Sequence, residues 1–453
     1  MSKLPEGPLV AWYGDDFTGA AATMEVLTFA GLPSVLFFDP PTPEQMLEFK
    51  GFSGFGVAGT ARAQSPDWMA QYLPPVFQWL KSVHAKIAHY KICSTFDSSR
   101  QTGSIGKAIE LAALEFNGPM PVLVAVPEMR RYQAFGNLFA ASPEGVSRLD
   151  RHSVMSRHLV TPMQEADLRL ILAGQTHLPV GLITLEDLTE EMAADAALKR
   201  EMAGGKNVVL LDTVSNADLK QAGRLMWENA TPEMLAVGSQ GVEYALVAYW
   251  QEKGLLKPAP PVCGFGEAKH MIAVSGSTSV ITAAQIDHAA ASGFAAIHLA
   301  PTACLGEPSA FTAASDAALN LLMDGRNVLL YSAKGPEDLG AFRQAAEIAG
   351  ISAHRANEIL GTTLGRLLRE LLLKTGIKRA AISGGDTSGH AAKQLGIYAL
   401  TALAPTLPGA SLCQAYSSDP RMHGLELSLK GGQMGSPDYF DWIRRGGGPK
   451  LVQ

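Results

Sequence analysis

The chain has 453 residues, enough for two or three domains at roughly 100–200 residues each. Hydrophobic residues make up 47% and charged residues 18%, which excludes a disordered chain, and a net charge of −6 leaves no footprint for nucleic acid or an anionic membrane. Four scattered cysteines lack metal-ligand or redox spacing, no apolar run reaches the ~18 residues that span a bilayer, and the N-terminus lacks a signal-peptide core, so a soluble cytoplasmic protein is expected.

Residues 9–13 are a compact apolar run that predicts a buried strand. Gly14-Asp15-Asp16-Phe17-Thr18-Gly19 follows, then a helix over 20–30 stopped by Gly31, then a strand over 33–38. This order predicts a parallel α/β sheet, in which ligands gather at the C-terminal ends of strands, where Asp15 and Asp16 fall. Helix capping accounts for one polar group of that turn and does not require two adjacent carboxylates. A third strand over 55–60 precedes Arg62, and a helix over 66–85, interrupted at Pro74-Pro75, leads to a strand over 89–93. The loop from Ser94 to Gly106 is dense in hydroxyls and carries Asp97, Ser98 and Arg100. Two readings stay open for it: a site that binds a polyhydroxylated acid with Arg100 on its carboxylate, or a solvated loop capping the helix over 107–116. A strand over 121–126 ends in Pro127-Glu128-Met129-Arg130-Arg131, where the arginines either hold an anion or are solvated. Residues 142–158 read as polar and irregular, without a helical histidine pair for a metal. A helix is expected over 161–173, and strands over 180–184, 208–212 and 235–237 alternate with helices over 189–203, 216–229 and 242–252. The proline-rich stretch 254–262 marks a boundary, giving a first domain over 1–252, a linker over 253–264 and a second domain over 265–453.

The second domain again alternates, with strands over 271–274, 295–299, 328–331, 379–382, 411–416 and 425–430 and helices over 281–291, 313–323 and 357–374. The turn Ser383-Gly384-Gly385-Asp386-Thr387-Ser388-Gly389 lies between a strand and a helix over 390–395. Such a turn brings backbone N–H groups to an anion, and the helix N-terminus adds partial positive charge. Two more small-residue turns are Val274-Ser275-Gly276-Ser277-Thr278-Ser279 and Lys430-Gly431-Gly432-Gln433-Met434-Gly435. None is a P-loop or a GxGxxG fingerprint, and each alone also serves as an ordinary tight turn. Three in one half suggest a phosphate cradle, with the other half holding what is phosphorylated.

Together these stretches resemble the four-carbon acid sugar kinase family. Gly14-Asp15-Asp16-Phe17-Thr18-Gly19-Ala20 is similar to its GDDxTGA, and Arg62 falls at its next strand-end arginine. His158 with Thr161-Pro162-Met163, then Gln175, resembles its HPxTPM…Q stretch, and Gly238-Ser239-Gln240-Gly241 its GSxG turn. Ser275 to Ile286, Gly384-Gly385-Asp386-Thr387 and Lys430 to Gly435 resemble its GSxSxxTxxQI, GGxT and KxGxxG. The resemblance implies two α/β domains with the active site in the cleft between them, an N-terminal one for the sugar acid and a C-terminal one for ATP. It implies ATP- and Mg2+-dependent phosphorylation of a terminal hydroxyl of an acid such as a threonate, erythronate or 3-oxo-tetronate. On that basis Asp16 is the expected base and Asp15 a contact to substrate or to a water on Mg2+. Arg62, Asp97, Ser98, Arg100 and Arg131 are expected on the substrate, and Ser277, Gly384, Gly385, Asp386, Thr387 and Gly432 on ATP.

The departures fall on the substrate side. The loop Asp97 to Gly106 is one residue longer than the family's DSTLRGNIG, with its arginine displaced. Of PxxGR only Pro127 and Arg131 match, and Leu159 stands where HPxTPM has proline. These departures leave open an acid other than the commonest family substrates. Rival readings are a phosphate-dependent isomerase or hydrolase using the same cleft, and a nucleotide- or metabolite-binding sensor without turnover. No nucleic-acid or membrane partner is expected, and a homodimer stays open.

Overall fold

A computed structural model describes residues 3–142, 144–158 and 160–450, with the side chains of Asp386 and Thr387 outside the described residues. The chain divides into two compact units, Met1–Pro260 and Pro261–Gln453. Among the described residues no helix is long and apolar enough to cross a membrane.

The first unit is built on a parallel sheet. Its strands are β1 (Val10–Gly14), β2 (Ser34–Phe37), β3 (Gly54–Ala58), β4 (Ile87–Lys91) and β5 (Met120–Leu123), then, after an intervening small sheet, β9 (Val180–Ile183), β10 (Val208–Leu211) and β11 (Leu235–Gly238). They lie side by side in the order β2-β3-β1-β4-β11-β5-β10-β9, every pair parallel. β1 is buried along its whole length because helices cover both faces of such a sheet, so its residues are apolar rather than alternating. Trp12 is fully buried, and its indole N–H donates to the Ala20 carbonyl at 3.1 Å, tying strand to helix.

Three local expectations are corrected in this unit. The helix Pro66–Ser82 passes through Pro74 and Pro75 unbroken. Met69, Leu73, Val76, Phe77 and Leu80 make one buried stripe on both sides of the prolines, and keeping it on one face outweighs about 3 kcal/mol for interrupting the backbone ladder. Residues within 142–158 are not irregular throughout. An antiparallel sheet of β6 (Arg131–Ala134), β7 (Asn137–Ser142) and β8 (Gly145–Arg148) runs into that segment. The helix expected from Thr161 starts only at Leu168, capped by Asp167, and ends at Ala173. Ahead of it His158 Nδ1 pairs with the Thr161 hydroxyl at 3.0 Å and Met163 N–H donates to Met155, which holds the chain in a turn.

The second unit has β12 (Ile272–Ser275), β13 (Phe294–His298), β14 (Asn327–Tyr331), β15 (Arg379–Ser383), β16 (Ile397–Ala404), β17 (Leu412–Ser417) and β18 (Glu426–Lys430). Their order is β13-β14-β12-β15-β18-β17-β16, parallel through β18 and antiparallel beyond it. β12, β15 and β18 are therefore adjacent and parallel, and all three glycine turns leave from their C-terminal ends. The helix after β15 begins at Gly385, five residues earlier than expected from the sequence.

Candidate active site

In the first unit, β1 delivers Asp15 and Asp16 to its C-terminal end. Asp16 is the N-cap of the helix Phe17–Phe29, in extended conformation, and its Oδ1 accepts the Gly19 N–H at 3.0 Å. Its Oδ2 accepts from Arg62 Nη2 at 2.6 Å. Arg62 is set by the turn after β3, where its own N–H donates to the Asp15 carbonyl at 3.0 Å. The turn has no room to spare: a Cβ on Gly14 would collide with that of Ala20. Gly14→Ala should therefore push the helix start away from the strand, costing about 1–3 kcal/mol in thermal or denaturant unfolding and most of the activity.

Asp15 is 3% exposed, and its Oδ1 has no hydrogen-bond partner among the described residues. Burial, with Asp16 and Asp97 adding to it and Arg62 and Lys91 opposing, pushes its carboxyl up to about 7. Asp97 lies in the loop after β4. Burial disfavours its charge, but Arg62 and hydrogen bonds from Cys93 and Thr95 hold the carboxyl below its ordinary value. The Thr95 hydroxyl donates to Asp97 Oδ1 at 2.7 Å. The same loop is pinned from outside: Gln175 donates to Ser98 Oγ at 2.9 Å and accepts from the Gly106 N–H at 3.1 Å. Gly103, at φ +60°, packs directly on the Arg62 backbone.

Arg131 starts β6. Its Nη1 donates to the carbonyls of Met129 (3.2 Å), Arg130 (3.4 Å) and Ala141 (3.4 Å), while its Nε is buried with no partner. Among the described residues it makes no ion pair with a carboxylate. Arg62 and Arg131 both lie in the field of Cys93, whose thiol burial and Asp97 push up to about 12. Asp15, Asp16, Arg62, Asp97 and Arg131 thus belong to one neighbourhood. Ser98 is buried in its loop beside them, whereas Arg100 is exposed with no bond to the cluster. The sequence reading passed over Lys91, the last residue of β4. It is 1% exposed, donates to the Ile92 carbonyl at 2.6 Å, and sits where a Cβ on Gly19 would reach its Nζ. A lysine inside the strand-like run 89–93 was the available signal.

In the second unit the three turns meet. Ser279 Oγ and Thr282 Oγ1 donate to the Gly432 carbonyl at 2.5 and 2.9 Å, joining the first turn to the third. Gly276 N–H donates to Ser383 and Gly384 N–H to Lys430, each at 2.9 Å. A Cβ at Gly432 would strike Ser277 Oγ, so a larger residue there would displace that hydroxyl. Gly384 has φ +138°, a region for glycine, and as N-cap it offers the helix Gly385–Gln394 no side-chain acceptor. Gly385 is exposed and a Cβ on it would touch nothing. The expected contacts of the Asp386 and Thr387 side chains lie outside the described residues. Ser383 Oγ is fully buried without a partner among the described residues, and Ser388 Oγ donates to the Gly384 carbonyl.

Lys430, which the motif contained but to which no role was given, is 1% exposed. Its ammonium donates to the carbonyls of Gly431 (2.9 Å) and Met434 (3.1 Å) and to Thr282 Oγ1 (3.4 Å). No carboxylate pairs with it among the described residues, and burial pushes its pKa down to about 8. An uncapped helix N-terminus, an orphaned hydroxyl and an uncompensated buried cation together suit an anion.

Comparison with known proteins agrees with this division. Residues 10–246 match a sugar-binding N-terminal domain and residues 272–440 a nucleotide-binding C-terminal domain. The chain is 42% identical to the 3-oxo-isoapionate kinase of Paraburkholderia graminis, over 98% of this chain and 95% of that protein. It is 30% identical to the 3-oxo-tetronate kinase of Cupriavidus necator, over 97% of each. A solved structure from Salmonella typhimurium LT2 superposes with a TM-score of 0.77 at 24% identity, covering 96% of this chain and 98% of that one. A Haemophilus influenzae protein does so at 0.74 and 22%, covering 96% and 99%. These two likenesses concern the fold.

Proposed function

The chain belongs to the four-carbon acid sugar kinase family, and from that premise we propose that it transfers the terminal phosphoryl group of ATP to a terminal hydroxyl of a small 3-oxo sugar acid. The observation that carries this reading is Lys430, a buried ammonium without a counter-ion where three glycine turns meet. A polyphosphate is the ligand such a place lacks. Lys430, the uncapped amides from Gly385, Ser277, Ser383 and the bare backbone at Gly384 and Gly432 would hold it, with Asp386 and Thr387 beside them. ATP, when bound, supplies the phosphoryl group, and Mg2+ comes in on its phosphates.

The first unit takes the acid. Arg131, short of an anion partner, pairs with its carboxylate, and Asp97 and Ser98 hydrogen-bond its hydroxyls. Arg62 and the aspartate pair serve the acceptor hydroxyl, whose proton must leave as the new bond forms. The 3-oxo group is proposed because both named relatives act on 3-oxo acids, and the altered Asp97–Gly106 loop is where preference among such acids would be set.

The test is ADP formation with ATP, Mg2+ and a panel of four- and five-carbon sugar acids, each with and without the 3-oxo group. The expected result is acid-dependent ADP, with kcat/KM at least about tenfold higher for a 3-oxo acid than for its reduced counterpart. ADP formation independent of every acid would overturn the kinase reading. Preference for a reduced acid would overturn the substrate class alone.

A further inference from the structure

We propose that Asp15, not Asp16, accepts the proton of the acceptor hydroxyl, and that Asp16 is a positioning residue that holds Arg62. This rests on the kinase reading above and names the base within it.

The two neighbours are held in opposite ways. Both oxygens of Asp16 are engaged, Oδ1 by the Gly19 N–H at 3.0 Å and Oδ2 by Arg62 at 2.6 Å. Both oxygens are thus occupied by donors, and neither is open to a ligand's hydroxyl. Asp15 Oδ1 has no partner among the described residues and is shielded from water. An orphaned carboxylate oxygen costs stability, about 1–3 kcal/mol for the desolvation alone, and nothing in the fold gains from it. Charged and titratable groups face Asp15 from every side. Arg62 comes from the turn after β3, Lys91 and Tyr90 from β4, Asp97 from the following loop, Tyr13 from β1 and Asp16 from the helix cap beside it. Two cations and two carboxylates in that shell oppose one another, and burial, the largest influence, raises Asp15 to about 7, the range in which a base works best at neutral pH.

In the step itself the acceptor O–H bond breaks and its proton passes to Asp15 Oδ1. The oxygen's electron pair forms the bond to the terminal phosphorus of ATP, and the bond from that phosphorus to the bridging oxygen breaks with its electrons, releasing ADP. Arg62 stays bonded to Asp16 throughout.

The experiment compares Asp15→Asn and Asp16→Asn in the full chain by kcat against pH, by ADP titration calorimetry and by thermal unfolding. For the wild type, kcat should rise through an acid limb near 7. Asp15→Asn should lose about 1,000-fold in kcat and have no such limb, with ADP affinity within about twofold of wild type. Asp16→Asn should lose less and keep the limb. Unfolding tests the same group without any acceptor. A carboxyl raised from its ordinary 3.8 to about 7 binds more proton folded than unfolded in that window, so wild-type stability falls as pH rises through it. Asp15→Asn should melt as high as wild type near pH 4 and a few degrees higher above pH 7. Retention of more than about a tenth of kcat by Asp15→Asn, an acid limb lost in Asp16→Asn instead, or an Asp15→Asn protein that melts below wild type would each overturn the proposal. A wild type that turns over no acid while the unfolding arm behaves as expected would sink the kinase reading and leave the titration of Asp15 standing.

Discussion

Arg62→Ala is expected to lower kcat/KM about 1,000-fold while the protein remains folded by circular dichroism. Arg62 holds Asp16 at 2.6 Å and is the strongest cationic influence on both Asp15 and Asp97. Without it three carboxylates share a pocket in which Lys91 is the remaining cation acting on Asp15, and the group whose proton affinity is already raised rises further. The acid limb of kcat should therefore move to higher pH, so that less of the enzyme carries a free base at neutrality. Removing one partner of a buried charge cluster typically costs about 3–5 kcal/mol. The Arg62 side chain is 32% exposed, so water will take up part of that and the low end is expected. Arg62→Lys separates charge from shape: it restores the positive field, hence most of the pH position, but not the planar contact to Asp16. Kinetics of Arg62→Ala within about tenfold of wild type, or an unmoved acid limb, would show that the cluster is not organised by this side chain.

Much of this neighbourhood is written locally. The apolar run before Gly14, the cap at Asp16 and the glycine turns after β12, β15 and β18 follow from rules that act over a few residues, and the sequence displays them. What it hides is pairing at a distance. Nothing near Asp16 says that Arg62, 46 positions on, will take its second oxygen. The turn between β6 and β7 shows the same limit. Gly136, at φ +80°, is a readable turn residue, but Phe135 at φ +50° is not, because an aromatic side chain rarely enters the left-handed region. What holds it there is the buried carboxylate of Asp212, which accepts the N–H groups of Phe135 and Gly136 at 2.5 and 2.9 Å from the end of β10. The hairpin that places Arg131 thus depends on a residue far along the chain. Lys91 was hidden differently: a lysine in a short strand reads as solvated until its surroundings are known.

Lys430→Met should weaken ADP binding by about a hundredfold at pH 7, read by titration calorimetry. Methionine keeps the length and apolar stem of the side chain, so packing against the Tyr439 ring, 5.6 Å from the ammonium, is largely preserved. Lost are the positive charge and the donors that hold Gly431, Met434 and Thr282 in place. Two charge-assisted bonds at about 1.5–3 kcal/mol each exceed the loss forecast, because the desolvation cost of the buried ammonium is relieved at the same time. That cost gives the prediction its signature in pH. Burial brings Lys430 to about 8 from an ordinary 10.5, so between those values the unfolded chain binds more proton and the contribution of this group to stability rises with pH. Anion binding needs the ammonium, so ADP affinity should fall over the same interval, from about pH 8 upward. Stability and affinity thus move in opposite directions in the wild type, and neither should follow Lys430 in the variant. A Lys430→Met protein that binds ADP like wild type at pH 7, or a wild type whose affinity is level from pH 7 to 9.5, would remove this lysine from the nucleotide site.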